Sequence, residues 1–120
     1  MLSLQDMHDV VRELRFEGLA AWEFHVRFDG DRPFLHATFL ADSNMPEDNG
    51  ALVKCSTRKW FLSLYMTKDE IVGTAMKCVL TAVEHEAREQ FFYRNRAIYG
   101  PHISVDAMWE ASERHVYRDS

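Results

Sequence analysis

Apolar and polar residues alternate strictly from Trp22 to Phe28. Trp22, Phe24, Val26 and Phe28 fall on one side of an extended chain, and Glu23, His25 and Arg27 fall on the other. That period predicts a half-buried strand. The turn-forming run Asp29-Gly30-Asp31-Arg32-Pro33 follows, and Phe34 to Ala41 predicts a second strand returning antiparallel as a hairpin. Upstream, Ser3 stands three residues before Asp6, and Met7, Val10, Val11 and Leu14 recur at helical spacing. This predicts an N-capped amphipathic helix of about three turns that stops before Gly18. Asp42 to Gly50 is polar and aperiodic, which predicts a mobile surface loop. Ala51 to Ser56 and Lys59 to Leu64 are two further short β-compatible runs, with Thr57-Arg58 as a turn or bulge between them.

Thr67-Lys68-Asp69-Glu70 has capping-box spacing and predicts the start of a long helix. No Gly stands between Gly73 and Gly100 and no Pro between Thr67 and Pro101. The helix is therefore expected to reach about Arg94, some seven turns at about 3.6 residues each. Val72, Met76, Val79, Leu80, Val83 and Ala87 form its expected core stripe. A shorter helix is expected from near Ser104, carrying Val105, Met108 and Trp109 inward. The expected architecture is α+β: an antiparallel meander of about four strands covered by one long α-helix, with shorter N- and C-terminal helices, in a single domain spanning residues 1–120.

Composition narrows the class. Hydrophobic content of 47% with 28% charge, together with eight Phe, four Tyr and three Trp, is that of a globular chain. No run approaches the roughly 18 apolar residues of a spanning helix, and Met1 to Asp6 has neither a basic start nor an apolar signal core, so a cytoplasmic protein without membrane association is expected. Cys55 and Cys78 read as buried thiols. The net charge of −5 repels a polyanion at long range and argues against general DNA or RNA binding.

Candidate chemistry concentrates between Glu84 and His102. Projected along a helix, the positions in line with Val72, Val79 and Val83 become Glu86, Gln90 and Arg94, so the apolar stripe turns polar. Burying such groups unpaired costs about 1 to 3 kcal/mol each, so this helix end is expected either to run past the core into water or to line a polar cavity, and the neighbouring rings favour the cavity. On a helix Phe91, Phe92 and Tyr93 would point three ways, which implies a homo-oligomer interface covering at least one ring. Arg88, Arg94 and Arg96 around those rings combine guanidinium forks with stacking surfaces, as a ligand carrying phosphate and a nucleobase requires. Glu86 and Gln90 would read ribose or base edges, and His102, after Gly100-Pro101, would face the ligand at the start of the last helix. His85 and Glu89, with His102 and Asp106, offer at most a fragment of a metal site, since no His-Glu-x-x-His or paired-Cys spacing accompanies them. No cofactor, metal or catalytic residue is therefore expected.

Lys59-Trp-Phe-Leu-Ser63, Met66-Thr-Lys-Asp-Glu-Ile-Val72, Glu84-His-Glu-Ala-Arg-Glu89, Tyr93-Arg94 and Ile98-Tyr-Gly-Pro-His102 with Asp106 resemble the pattern of a group of small phage and prophage proteins, most of them uncharacterised. The resemblance spans Lys59 to Trp109. In size and in the order sheet then long helix, the chain is also similar to the first class of Thoeris anti-defence proteins, which are oligomeric and sequester cyclic ADP-ribose-type signals and, in some cases, cyclic oligonucleotides. The resemblance implies a phage-encoded binder acting in the host cytoplasm that captures a small nucleotide-derived signal without turning it over. The rival readings are a direct protein inhibitor of a bacterial defence enzyme and a metal-dependent hydrolase.

Overall fold

The computed structural model describes residues 1–16, 19, 21–84, 89–99, 108 and 110–112. Helix α1 (Leu4–Arg12) is followed by strands β1 (Glu23–Asp29), β2 (Arg32–Asp42), β3 (Leu52–Thr57) and β4 (Trp60–Phe61), helix α2 (Lys68–Glu84), and strands β5 (Gln90–Tyr93) and β6 (Arg96–Tyr99). The fold is α+β, with a six-stranded antiparallel sheet in the order β1-β2-β3-β5-β6 and β4 also paired to β2.

Both expected helix starts are present. The Ser3 hydroxyl accepts from the Asp6 amide while the Asp6 carboxylate accepts from the Ser3 amide, each at 3.1 Å. Thr67 and Glu70 make the same reciprocal pair at 3.1 and 3.2 Å. In each case two otherwise orphaned amides of the first turn find acceptors.

The hairpin of β1 and β2 turns at Gly30-Asp31, between the paired Asp29 and Arg32. Gly30 takes φ 65°, a left-handed conformation in which a side chain would be strained. Strand β2 is long enough to carry two partners in line. Thr38 faces Ser56 of β3, and Leu35 faces Trp60 of β4. Two residues of β2 thus oppose three of the partner, Thr57 to Lys59, which makes the expected irregularity a β-bulge. The Thr57 hydroxyl stands in for the missing ladder acceptor, taking the Ala37 amide at 3.0 Å.

Alternation sorts the sheet into two faces. Phe24, Val26, Leu35, Ala37, Phe39, Ala41, Val53, Cys55, Phe91 and Ile98 are buried together with Met7 and Val11 of α1 and Ile71, Ala75, Cys78 and Ala82 of α2. Trp22 stacks on Phe39 at 4.6 Å, and Phe39 meets Phe91 edge to face at 5.3 Å. Met108 joins the same cluster. The opposite face carries His25, Arg27, Phe34, His36, Thr38, Ser56 and Phe92, and neither α1 nor α2 covers it.

Three expectations are corrected. Helix α2 is described over Lys68–Glu84, and Gln90 to Tyr99, over which the helix is expected to continue to Arg94, form a hairpin. Phe91 and Tyr93 therefore point into the core and Phe92 points out, and Gln90 and Arg94 do not continue a helical stripe. Two of the three rings invoked for an oligomer interface are covered within the chain, at 0% and 5% exposure. The core stripe of α2 is also rotated. Ile71, Ala75, Cys78 and Ala82 are inward, whereas Met76 and Leu80 are more than half exposed. Small side chains let the helix lie close to the sheet, so apolar bulk misidentified its inner face. Finally, the segment from Asp42 to Gly50 is organised around a short 3-10 turn, Pro46–Asp48, rather than being a featureless loop.

Candidate functional site

The β5–β6 turn is a two-residue connection, Arg94-Asn95, with φ of 53° and 61°. Positive φ at both central residues gives the twist a tight hairpin needs, and Asn tolerates it better than Arg. This turn divides the candidate residues between two environments.

On one side the arginines hold the 43–50 segment. The Asp48 carboxylate is buried, accepts from Ser43 Oγ at 2.6 Å and Tyr93 Oη at 2.7 Å, and lies 3.3 Å from an Arg94 Nη2. Those two hydroxyl bonds hold its pKa below the usual carboxylate range. Burial and the bond to Asp48 push the Tyr93 phenol up. Arg96 donates to Glu47 at 2.8 Å and touches Met45 Sδ at 3.3 Å, and the bond to Glu47 raises its pKa. Arg94 and Arg96, expected to meet phosphate, are engaged in the fold. Glu89 is similar: it is buried and paired with Arg58 at 3.1 Å, and that guanidinium also covers Trp60 at 4.4 Å. Glu86, Arg88, His85, His102 and Asp106 lie outside the described residues. Among the described residues no group of three potential metal ligands is present.

On the other side, Phe92 and Asn95 line a cleft of about 420 Å³ on the sheet face away from α1 and α2, with Arg27, Phe34, His36 and Lys59, its floor completed by Ser56 and Thr57. Of the expected site residues that are described, Phe92 alone reaches this cleft; Gln90, half-buried on the same strand, does not line it. Among the described residues its lining holds two cations, the exposed Phe92 ring, the nearly buried Phe34 ring and no carboxylate. Lys59 is paired with Asp29 at 2.9 Å, with both groups about half exposed. Such a pair is worth about 0 to 1 kcal/mol, so an incoming anion can displace the carboxylate. A second cleft of about 310 Å³ between α1 and β1 has His8, Arg12, Arg15 and His25 in its lining but also Glu23, which offsets its positive charge.

At the first cleft's centre three polar groups form a directed chain. Arg27 Nε donates to His36 Nε2 at 3.0 Å, His36 Nδ1 lies 2.9 Å from Ser56 Oγ, and Ser56 Oγ donates to the Thr57 carbonyl at 3.2 Å. A guanidinium can only donate, so Nε2 is the acceptor and the imidazole proton sits on Nδ1, facing Ser56. This is the reverse of a nucleophilic dyad, in which the imidazole must accept the hydroxyl proton. Desolvation, reinforced by His25, Arg27 and Lys59, lowers the His36 pKa to about 4. His25, bonded through Nε2 to Thr38 at 3.0 Å, is also lowered, first by burial and then by Arg27. Both rings are neutral near pH 7. The cleft's positive charge therefore comes from Arg27 and Lys59.

Sequence reasoning missed Arg27, Phe34, His36, Ser56 and Lys59 as a group. The available signal was the alternation that places Glu23, His25 and Arg27 opposite the apolar face, but the residues that join them come from two other strands.

The cysteines are buried, and desolvation pushes Cys55 up to about 12 and Cys78 up to about 11. Neither is a candidate nucleophile. Among the described residues no helix is long and apolar enough to cross a membrane. No protein-family model, curated protein or solved structure matches the chain.

Proposed function

We propose that this protein is a binder of a small anionic, ring-bearing ligand, which it holds in the cleft on the open sheet face without turning it over. The observation that carries the proposal is the pairing of Arg27 and Lys59 with the Phe34 and Phe92 rings around about 420 Å³, with no carboxylate among the described lining residues. Cationic forks suit phosphate, and phenyl faces suit a base. The direction of the Arg27–His36–Ser56 chain supports binding over hydrolysis, because Ser56 receives a proton bond from His36. The similarity to phage anti-defence proteins makes nucleotide-derived signals the first ligand class to test, with sequestration in a host cell as the biological reading.

The test is calorimetric titration of cyclic ADP-ribose isomers and cyclic di- and trinucleotides into wild type, Arg27→Ala and Phe92→Ala. Recovery of unaltered ligand after denaturation is expected. Loss of Arg27 should weaken binding by about 1.5 to 3 kcal/mol, and loss of the Phe92 ring by about 1 to 3 kcal/mol. Signal capture requires submicromolar affinity, about −8 kcal/mol or better. If no nucleotide binds, or if both folded variants bind as wild type does, the proposal fails and direct inhibition of a protein target takes its place.

A further inference from the structure

The rings of the open face continue beyond the cleft. His25 lies 5.1 Å from His36, His36 lies 5.7 Å from Phe34, and Phe34 lies 6.2 Å from Phe61, centroid to centroid. The run crosses β1, β2 and β4 without a gap. Cations accompany it. Arg27 is bonded to His36, the Lys59 ammonium lies 5.0 Å over Phe34, and the Arg32 guanidinium lies 3.9 Å over Phe61. His25, Phe61 and Arg32 are not part of the cleft lining, so an occupant confined to the cleft leaves them unused.

We infer that the open face binds a linear single strand of nucleic acid, several nucleotides long, along this row of rings and cations. The inference rests on the cleft being a nucleotide site and extends it from one nucleotide to a strand. Rings on an exposed antiparallel sheet accept unstacked bases, and interleaved cations track the phosphates. The accessible surfaces are Phe61, 38% exposed, and the half-buried imidazoles. Phe34, 7% exposed, is the floor beneath Lys59. Duplex is excluded on the same grounds. Its bases are stacked away from these rings, and a chain of net charge −5 gains too little from so few phosphate contacts to hold it. A single strand is repelled at long range by the same net charge, but its unstacked bases can gain stacking on the exposed rings, a local term that duplex bases cannot supply.

Fluorescence anisotropy with labelled mono-, tetra- and octanucleotides, single-stranded and duplex, tests this, with cyclic dinucleotide as competitor. Single-strand affinity should rise about tenfold or more from mono- to octanucleotide as further rings engage. With Arg27, Arg32 and Lys59 as phosphate contacts, log K should fall against log salt with a slope of about −2. Phe61→Ala should weaken the octanucleotide about 5- to 150-fold and leave mononucleotide affinity unchanged, since Phe61 lies outside the cleft. Arg32→Ala, which keeps the ring, should lower the salt slope by about 0.7. Met76→Ala, on the far side of α2, should change neither. Equal affinity for mono- and octanucleotide, preference for duplex, or tight binding of the cyclic dinucleotide alone would overturn the strand while leaving the cleft. Absence of binding by every probe would overturn both.

Discussion

Thr57 ties the architecture to the cleft, because its hydroxyl closes the β-bulge and its residue forms part of the cleft floor. It is 3% exposed. Its Oγ1 accepts from the Ala37 amide at 3.0 Å and the Cys78 thiol at 3.5 Å, and it donates to the Arg58 carbonyl at 3.2 Å. Both lone pairs and the proton are therefore in use. Thr57→Val preserves shape and removes all three bonds. The exposed Arg58 can turn its carbonyl to water and the thiol is a weak donor, so the dominant loss is the fully buried Ala37 amide, left unpaired at about 1 to 3 kcal/mol. The added methyl returns about 0.8 kcal/mol, for a net destabilisation of about 0.2 to 2.2 kcal/mol. At about 2.1 cal/mol/K per residue, a chain of 120 residues unfolds with about 0.25 kcal/mol/K, so calorimetry should show Tm falling by about 1 to 9 °C. Amide exchange adds a readout specific to the mechanism. Ala37 should lose protection selectively in Thr57→Val and keep it in Thr57→Ser, which retains the hydroxyl. An unchanged Tm with Ala37 still protected in Thr57→Val would refute the reasoning, because the amide would then have another acceptor.

Other outcomes follow from the charged and titratable groups. His36 falls from 6.5 to about 4 on folding, so the unfolded chain binds more protons in that interval. Stability should accordingly decline as pH falls from 6.5 to about 4, and His36→Gln should flatten that part of a pH series of denaturant melts; a wild-type curve flat over the window would show that the ring is not desolvated. Tyr93→Phe removes the 2.7 Å bond to Asp48 and should accelerate amide exchange at Ser43, Met45 and Ala51 before any effect on the β1–β2 ladder. Cys55 and Cys78 should resist a thiol-specific reagent in the native protein and react together on unfolding, given their burial and raised pKa values; rapid native labelling of either would contradict the packing.

What could be read in the sequence follows the range of the interactions concerned. Both capping boxes and the first hairpin depend on residues a few positions apart, and all stand as expected. The difference lies at 89–99, where the absence of Gly and Pro before Gly100 favours a helix and the chain forms a hairpin. The pattern there has a period of two: Glu89, Phe91 and Tyr93 are buried while Gln90 and Phe92 are less so. Aromatic-rich segments with that alternation favour strands. The turn that would have announced the hairpin is hidden, since Arg94 occupies a left-handed position usually taken by Gly, Asn or Asp. The energy that holds it there comes from partners distant in sequence, Asp48 for Arg94 and Tyr93, and Glu47 for Arg96. Local patterning carries no record of them.

The cleft is illegible for a related reason. Its chemistry lies on four strands, β1, β2, β3 and β5, and which side chains meet depends on register. Ser56 lies across from Thr38, which puts its hydroxyl within reach of His36 one pleat away on the same face. A slip of one residue would turn Ser56 inward and Cys55 outward. The bulge performs such a one-residue change between β3 and β4, and this allows Phe61 to face Phe34 while Ser56 faces Thr38 on the same surface. Had the two runs paired with β2 in one uninterrupted register, Trp60 would have stood opposite Phe34 on the open face and Phe61 would have pointed to the covered one. The bulge that the Thr57 hydroxyl closes thus decides which of these two rings, Phe61 or Trp60, joins the open face, although composition and motif both leave Thr57 unremarkable.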